Sequence, residues 1–180
     1  MTARNWLIGN ILMFSIFEIY MMVNYLNNNK PAKFFRTLLL YLSIISLLLY
    51  EYYLNLNIPS FIVTCSLLAI LGHTFLGTFM DIYHKSKTYD RYLHLFGSFS
   101  FSLLSFSLLK LNLTIGLFNT FLFVMTLGIS LGVVVEIAEF AHDTFTKKPM
   151  TQHGLIDTDF DMISNVLGST IAGIVSLFVF

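Results

Sequence analysis

The chain has 180 residues, of which 56% are hydrophobic, 16% aromatic and only 11% charged, and its ten basic and ten acidic residues cancel at pH 7. Soluble domains carry roughly 25% charged residues, so this composition excludes an ordinary soluble domain, and a net charge of zero gives no sign of nucleic-acid binding, which needs a basic patch. An apolar run of about 20 residues crosses a bilayer as a helix; the chain has room for six and little else, which predicts an all-α, polytopic transmembrane bundle forming one domain over 1–180.

The first span is expected at about 6–26. It is too long for a signal-peptide core and lacks a small-x-small cleavage site, so it is read as a spanning helix. Glu18 lies near its middle, as a titrating or substrate-contacting group or as a packing hydrogen bond. Asn27 to Pro31 closes this span, and a second runs over about 34–53 until the break from Asn55 to Pro59. The third, about 60–80, contains Cys65 and His73. Cys65 has no disulfide partner and reads as inert packing; His73, buried midway along the span, reads either as a structural histidine or as a partner of Glu18. A polar stretch from Asp81 to Arg91 precedes the fourth span, about 93–109, and Lys110 to Asn112 precede the fifth, about 114–140. Thr144 to Gly154 then lead into the sixth, about 160–180. A β-barrel needs strands of alternating polarity, whereas these runs are continuously apolar.

Basic residues orient such a bundle. Lys30, Lys33, Arg36, Lys85, Lys87, Arg91, Lys147 and Lys148 fall in the first, third and fifth connections, against Arg4 and Lys110 on the other side. That bias places these connections in the cytoplasm and both termini outside.

The same face gathers the acids. Asp81, Asp90, Glu136, Glu139, Asp143, Asp157, Asp159 and Asp161 all fall near it, as do His84, His94, His142 and His153. Asp81, His84 and His153 read as solvated loop residues. On a helix, positions three and four apart share a face. Asp90 and His94 therefore pair, with Gly97 and Ser98 a turn deeper. Gly128, Gly132, Glu136, Glu139 and Asp143 make a stripe on the fifth span; Asp157, Asp161, Asn165, Gly168 and Ala172 make another on the sixth. Small deep residues allow close helix contact, so the polar ends are expected to converge within about 10 Å, the reach of a metal and its outer shell. Asp159 points away from this stripe.

Carboxylates brought together repel one another, and a divalent cation relieves that repulsion. Glu136, Glu139, His142, Asp157 and Asp161 are the expected ligands, with Asp143 and Asn165 beside them. The donor set suits Mg²⁺ or Mn²⁺ and admits Zn²⁺ or Fe²⁺. Glu139-x-x-His142 has the spacing of carboxylate-bridged metal bundles, in a single copy. His94, held by Asp90, is the expected general base. Arg91 is expected to turn to lipid headgroups or to Asp90.

Tyr89-Asp90-Arg91-Tyr92-Leu93-His94, Glu136-Ile137-Ala138-Glu139, Thr151-Gln152 and Asp157-Thr158-Asp159-Phe160-Asp161-Met162 together resemble the motifs of the YjdF-type family of bacterial inner-membrane proteins, a family of unknown function. The resemblance covers roughly residues 70 to 175, and implies a multi-pass protein of the bacterial inner membrane. Where that family tends to carry a further acid and a Trp beside the carboxylates, this chain has Gly154, Ile156 and Phe160. A more distant similarity is to VanZ-like membrane proteins, which also combine a helix-end Asp and His with a late acid-rich segment.

Three functions fit. A metal-dependent hydrolase or transferase could act on a membrane lipid or lipid-linked substrate at headgroup depth. An ion-coupled transporter could use Glu18 as a midplane relay, although no internal repeat of the kind common in transporters stands out. A structural membrane protein could use the acids only to stabilise helix ends. No Ser or Cys nucleophile motif, glycine-rich phosphate loop or HExxH pair names a reaction.

Overall fold

In an apolar surround every backbone amide must pair within its own segment, and a continuous helix achieves this. This computed structural model describes residues 3–86, 88–109, 115–146 and 154–180, and among them helices dominate and no strand occurs. The fold is all-α, with six helices long and apolar enough to cross a membrane. Thr151, Gln152, His153, Lys87, Lys110, Lys147 and Lys148 lie outside the described residues, as does the side chain of Arg4. Contacts gather the helices into two compact units, Met1–Ser86 and Lys87–Phe180.

The first unit contains α1 (Ala3–Asn27), α2 (Pro31–Leu54), α3 (Ser60–Leu71) with its π-helical continuation Gly72–Phe79, and the single-turn α4 (Ile82–Lys85). Its breaks fall where the asparagines and prolines predict them. Asn29, Asn55 and Asn57 take left-handed backbone conformations, which Asn tolerates because its short side chain bonds locally; Asn57 Nδ2 donates to the Asn55 carbonyl at 2.9 Å. Pro31 opens α2, where its missing N–H costs nothing. α1 packs against α2, α3 and the π-helical segment, burying Phe14, Met21, Ile62 and Leu67. Asn10 Nδ2 donates to Thr64 Oγ1 at 3.0 Å, tying α1 to α3. In the π-helical segment the Met80 amide reaches the Phe75 carbonyl, five residues back. The Tyr83 ring fills the space a side chain at Gly77 would need. Cys65 is half-buried and reduced.

The second unit contains α5 (Tyr89–Leu109), α6 (Leu117–Thr146) and α7 (Leu155–Val179), each touching the other two. Gly128 and Gly132 on α6 and Gly168 on α7 lie where any Cβ would collide: with the Ser102 and Ser169 hydroxyls, the Asn165 side chain and the Leu95 carbonyl respectively. Close approach of this kind is how membrane helices gain van der Waals contact. The buried hydroxyls of Ser100, Ser107 and Ser169 each donate to the carbonyl four residues back on their own helix, so they pack as small residues with their polar atoms satisfied.

All three helices run further toward the acidic end than the hydropathy suggests. α5 begins at Tyr89 instead of 93, α7 at Leu155 instead of 160, and α6 continues to Thr146 instead of 140. Asp90 and Asp157 occupy the first turns of α5 and α7, where a carboxylate complements the helix dipole. These charges favour the early starts of α5 and α7, whereas the acids of α6 lie toward its C-terminal end, where the dipole does not favour them; all of them sit on helices. At 30 residues α6 is about 45 Å long, against a hydrocarbon core of about 30 Å; some twenty residues from Leu117 bring the chain to Glu136. Val134, Ile137 and Phe140 on α6 and Ile163, Leu167 and Ile174 on α7 point outward, as lipid-facing positions do.

Candidate functional site

The deep layer of the site comes from all three helices of the second unit. Asp90 and His94 lie one turn apart on α5, Glu136 on α6, and Asp161 and Asn165 one turn apart on α7. Ligand atoms of Asp90, His94 and Asp161 lie within 4.8 Å of one another. His94 Nε2 is 3.6 Å from Asp90 Oδ1 and 3.5 Å from Glu136 Oε1. Both separations exceed a normal hydrogen bond, so the nitrogen faces two carboxylates and is bonded to neither.

The other ring nitrogen explains that orientation. His94 Nδ1 is 3.3 Å from Asn165 Oδ1, which also accepts from Ser98 Oγ at 2.5 Å. An amide oxygen only accepts, so Nδ1 carries the hydrogen and, in a neutral ring, Nε2 presents its lone pair to the acids. Nε2 facing carboxylate oxygens is favourable only with a positive charge there, either a proton on the ring or a metal ion between them. The oxygens themselves are short of partners: Glu136 Oε1 and Asp161 Oδ1 are buried with no hydrogen bond, on residues 6% and 3% exposed. Burying such atoms unpaired is costly. One imidazole nitrogen and two carboxylate oxygens, from Asp90 and Asp161, within 4.8 Å of one another are a donor set that fits a divalent cation; Glu136 stands beside His94 but outside that group. Asn165 Nδ2 is likewise buried without a partner.

A second layer lies one turn outward. Arg91 Nη2 donates to Asp157 Oδ1 at 3.4 Å, and its guanidinium carbon lies 4.1 Å from the centre of the Phe160 ring. Lipid headgroups or Asp90 were expected for Arg91, and the structure pairs it with Asp157. Neighbours in sequence project about 100° apart on a helix, so with Asp90 turned to His94, Arg91 faces α7. Glu136 also accepts a hydrogen bond from the Thr158 hydroxyl. Glu139, half-buried, lies in the field of Asp90, Glu136, Asp161 and Asp143.

The remaining expected residues stand elsewhere. The His142 side chain is half exposed and lies 3.2 Å from Asp143 Oδ1, and it is not among the residues whose ligand atoms cluster with His94. Asp159 is exposed, as its position on the helix requires, and Asp81 and His84 form an exposed pair at 2.6 Å. Glu18 is fully buried in the first unit and accepts from Thr74 Oγ1 at 3.0 Å. His73 is not its partner: it is exposed, with Nδ1 2.7 Å from the Tyr83 hydroxyl. Adjacent residues on a helix cannot share a face, so Thr74 turns inward and His73 outward. Reasoning from sequence missed Thr158 and the stacking role of Phe160; the three-residue spacings of Asp157 to Phe160 and Arg91 to His94 were the available sign.

The chain is 33% identical over 102 residues to an uncharacterized protein of Thermotoga maritima, a match covering 56% of this chain and 53% of that protein, so the chain spans about half the length of this curated relative. No solved structure matches it. A family model described as a predicted membrane protein matches residues 9–180, nearly the whole chain, and the protein therefore belongs to the predicted membrane protein family DUF2238.

Proposed function

We propose that the cluster on α5, α6 and α7 binds a divalent cation and that the protein is a metal-dependent hydrolase or transferase of the bacterial inner membrane, acting on a lipid or lipid-linked substrate at the cytoplasmic surface. The observation that carries this reading is His94, whose Nδ1 is engaged by Asn165 while Nε2 faces Asp90 and Glu136 beside Asp161. Metal-ligating histidines are held in this way through their second nitrogen. Structural acids at helix ends have no need of a buried, oriented imidazole. Asp90, His94 and Asp161 are the ligand set this geometry favours, with Glu136 next to His94 and Glu139 and Asp157 toward the mouth; His94 moves from the base expected of it to a ligand. A bound divalent cation supplies Lewis acidity and activates water. The chain's own residues hold the cation, exclude water from the α5–α7 contact, and present Arg91 above it. The eight-to-two basic bias supports a cytoplasmic placement, and the YjdF-type and VanZ-like resemblances support a bacterial one.

Thermal unfolding in detergent with and without chelator, alongside elemental analysis, tests the metal. Wild type is expected to carry a divalent ion and to lose about 2.7 kcal/mol when an ion at a hundred times its dissociation constant is removed. Asp161→Asn and His94→Gln are expected to be low from the start and to respond little. An unchanged wild-type melting temperature with no co-purifying metal sinks the proposal.

A further inference from the structure

We infer that the mouth of this site is a phosphate subsite, with Arg91 as the group that receives the anion, so that the substrate class is a phosphate ester and not a neutral or acyl-only lipid. The inference rests on the metal reading above and adds to it the identity of what the cation meets. Arg91 is held from two sides: its guanidinium lies against the Phe160 ring and Nη2 donates to Asp157. Those contacts fix the guanidinium and leave donors over. Nε is buried with no hydrogen-bond partner, and a guanidinium carries five N–H groups in a rigid fork suited to phosphate oxygens. A charged donor left without an acceptor is costly; with the Arg91 side chain 30% exposed, an anionic oxygen arriving at the mouth takes up guanidinium donors that Asp157 leaves over.

The spacing supports the same ligand. Arg91 precedes His94 by three residues, so it stands about 4.5 Å, a little under one turn, nearer the helix end on the same face. A phosphate touching a cation at the His94 level with one oxygen reaches a guanidinium one turn away with another. Depth agrees as well, because Glu136 marks the point where α6 has used up a bilayer's hydrocarbon thickness, which is where lipid phosphates lie. Asp90, Glu136, Glu139, Asp157 and Asp161 repel an anion that arrives without a cation. Phosphate binding is therefore metal-dependent, and by linkage phosphate and metal tighten each other.

Titration calorimetry on the detergent-solubilised full chain, saturated with Mn²⁺, tests this with three probes: inorganic phosphate, dihexanoyl phosphatidic acid and dihexanoylglycerol. Phosphatidic acid is expected to bind only when Mn²⁺ is present, and dihexanoylglycerol to bind far more weakly. R91Q is expected to weaken phosphatidic acid roughly tenfold to hundredfold, the worth of a hydrogen bond to a charged group. F160L, which keeps the charge and removes the stack, is expected to weaken it by a smaller factor and serves should R91Q fail to fold. Tighter binding of phosphatidic acid than of inorganic phosphate assigns the subsite to a lipid headgroup; equal binding assigns it to free phosphate. Wild type that binds Mn²⁺ but neither phosphate probe, R91Q and F160L that bind like wild type, or dihexanoylglycerol that binds as tightly as phosphatidic acid overturns the subsite and leaves the metal reading standing. Failure to bind Mn²⁺ removes the metal reading and the subsite with it.

Discussion

Asn165 determines which nitrogen of His94 faces the acids. Its Oδ1 receives Ser98 Oγ and stands against Nδ1, so the ring cannot rotate without losing that partner. Outer-shell groups of this kind are worth 10–100-fold in metal affinity. Asn165→Ala is therefore expected to weaken Mn²⁺ binding by about that factor in a titration, and Ser98→Ala, which leaves Oδ1 in place, to weaken it less; equal affinity for Asn165→Ala and wild type contradicts the role. Much of this site was legible from spacing, because i, i+4 pairs such as Asp90 with His94 and Asp161 with Asn165 share a face on any helix. Which nitrogen points where was not, since that depends on atoms contributed by another helix. Glu18 and His73 mark the limit. α3 is apolar nearly all round, and its continuation from Gly72 winds as a π-helix, so α-helical spacing does not assign inward and outward faces to His73 and its neighbour Thr74.

Glycines set how closely the helices of the second unit approach. The Cβ of any other residue at position 168 would overlap the Leu95 carbonyl on α5, and a backbone atom cannot rotate aside as a side chain can. Gly168→Val is expected to destabilise the unit by about 1–3 kcal/mol or more through overpacking. Because Leu95 adjoins His94, it should weaken Mn²⁺ binding as well; a melting temperature and Mn²⁺ affinity both equal to wild type would contradict this account. Gly97, by contrast, has open space where a Cβ would stand, so Gly97→Ala is the matched control. The glycine stripes on α6 and α7 were visible in the sequence as small residues at helical spacing. The helix ends were not, because hydropathy averages stop at the first charges, while Asp90 and Asp157 occupy helical first turns that favour acids.

For the chain as a whole, six apolar helices follow directly from composition, and the basic bias then predicts an orientation that the helices alone leave open. Both termini are expected outside. In a Cys65→Ser background, a single cysteine introduced beside Phe180 should react with a membrane-impermeant maleimide applied to intact cells, whereas one at Asp159, exposed at the acidic end, should react only after the membrane is opened. The reverse pattern inverts the orientation and moves the cluster to the other face. The division into two compact units had no counterpart in hydropathy, which records where each segment is apolar and carries nothing about which segments touch. The length of α6 has one more consequence. An α-helix of about 45 Å whose lower portion is apolar and whose last turns are charged behaves as a depth gauge, with Glu136 at the waterline. Lipids with longer acyl chains raise that line toward Glu139 and those with shorter chains lower it, at a cost of fractions of a kcal/mol per ångström that tilt can absorb. If α6 enters the hydrocarbon near Leu117, the hydration of the carboxylates follows membrane thickness, and a cation held there as proposed would exchange more readily in thinner bilayers.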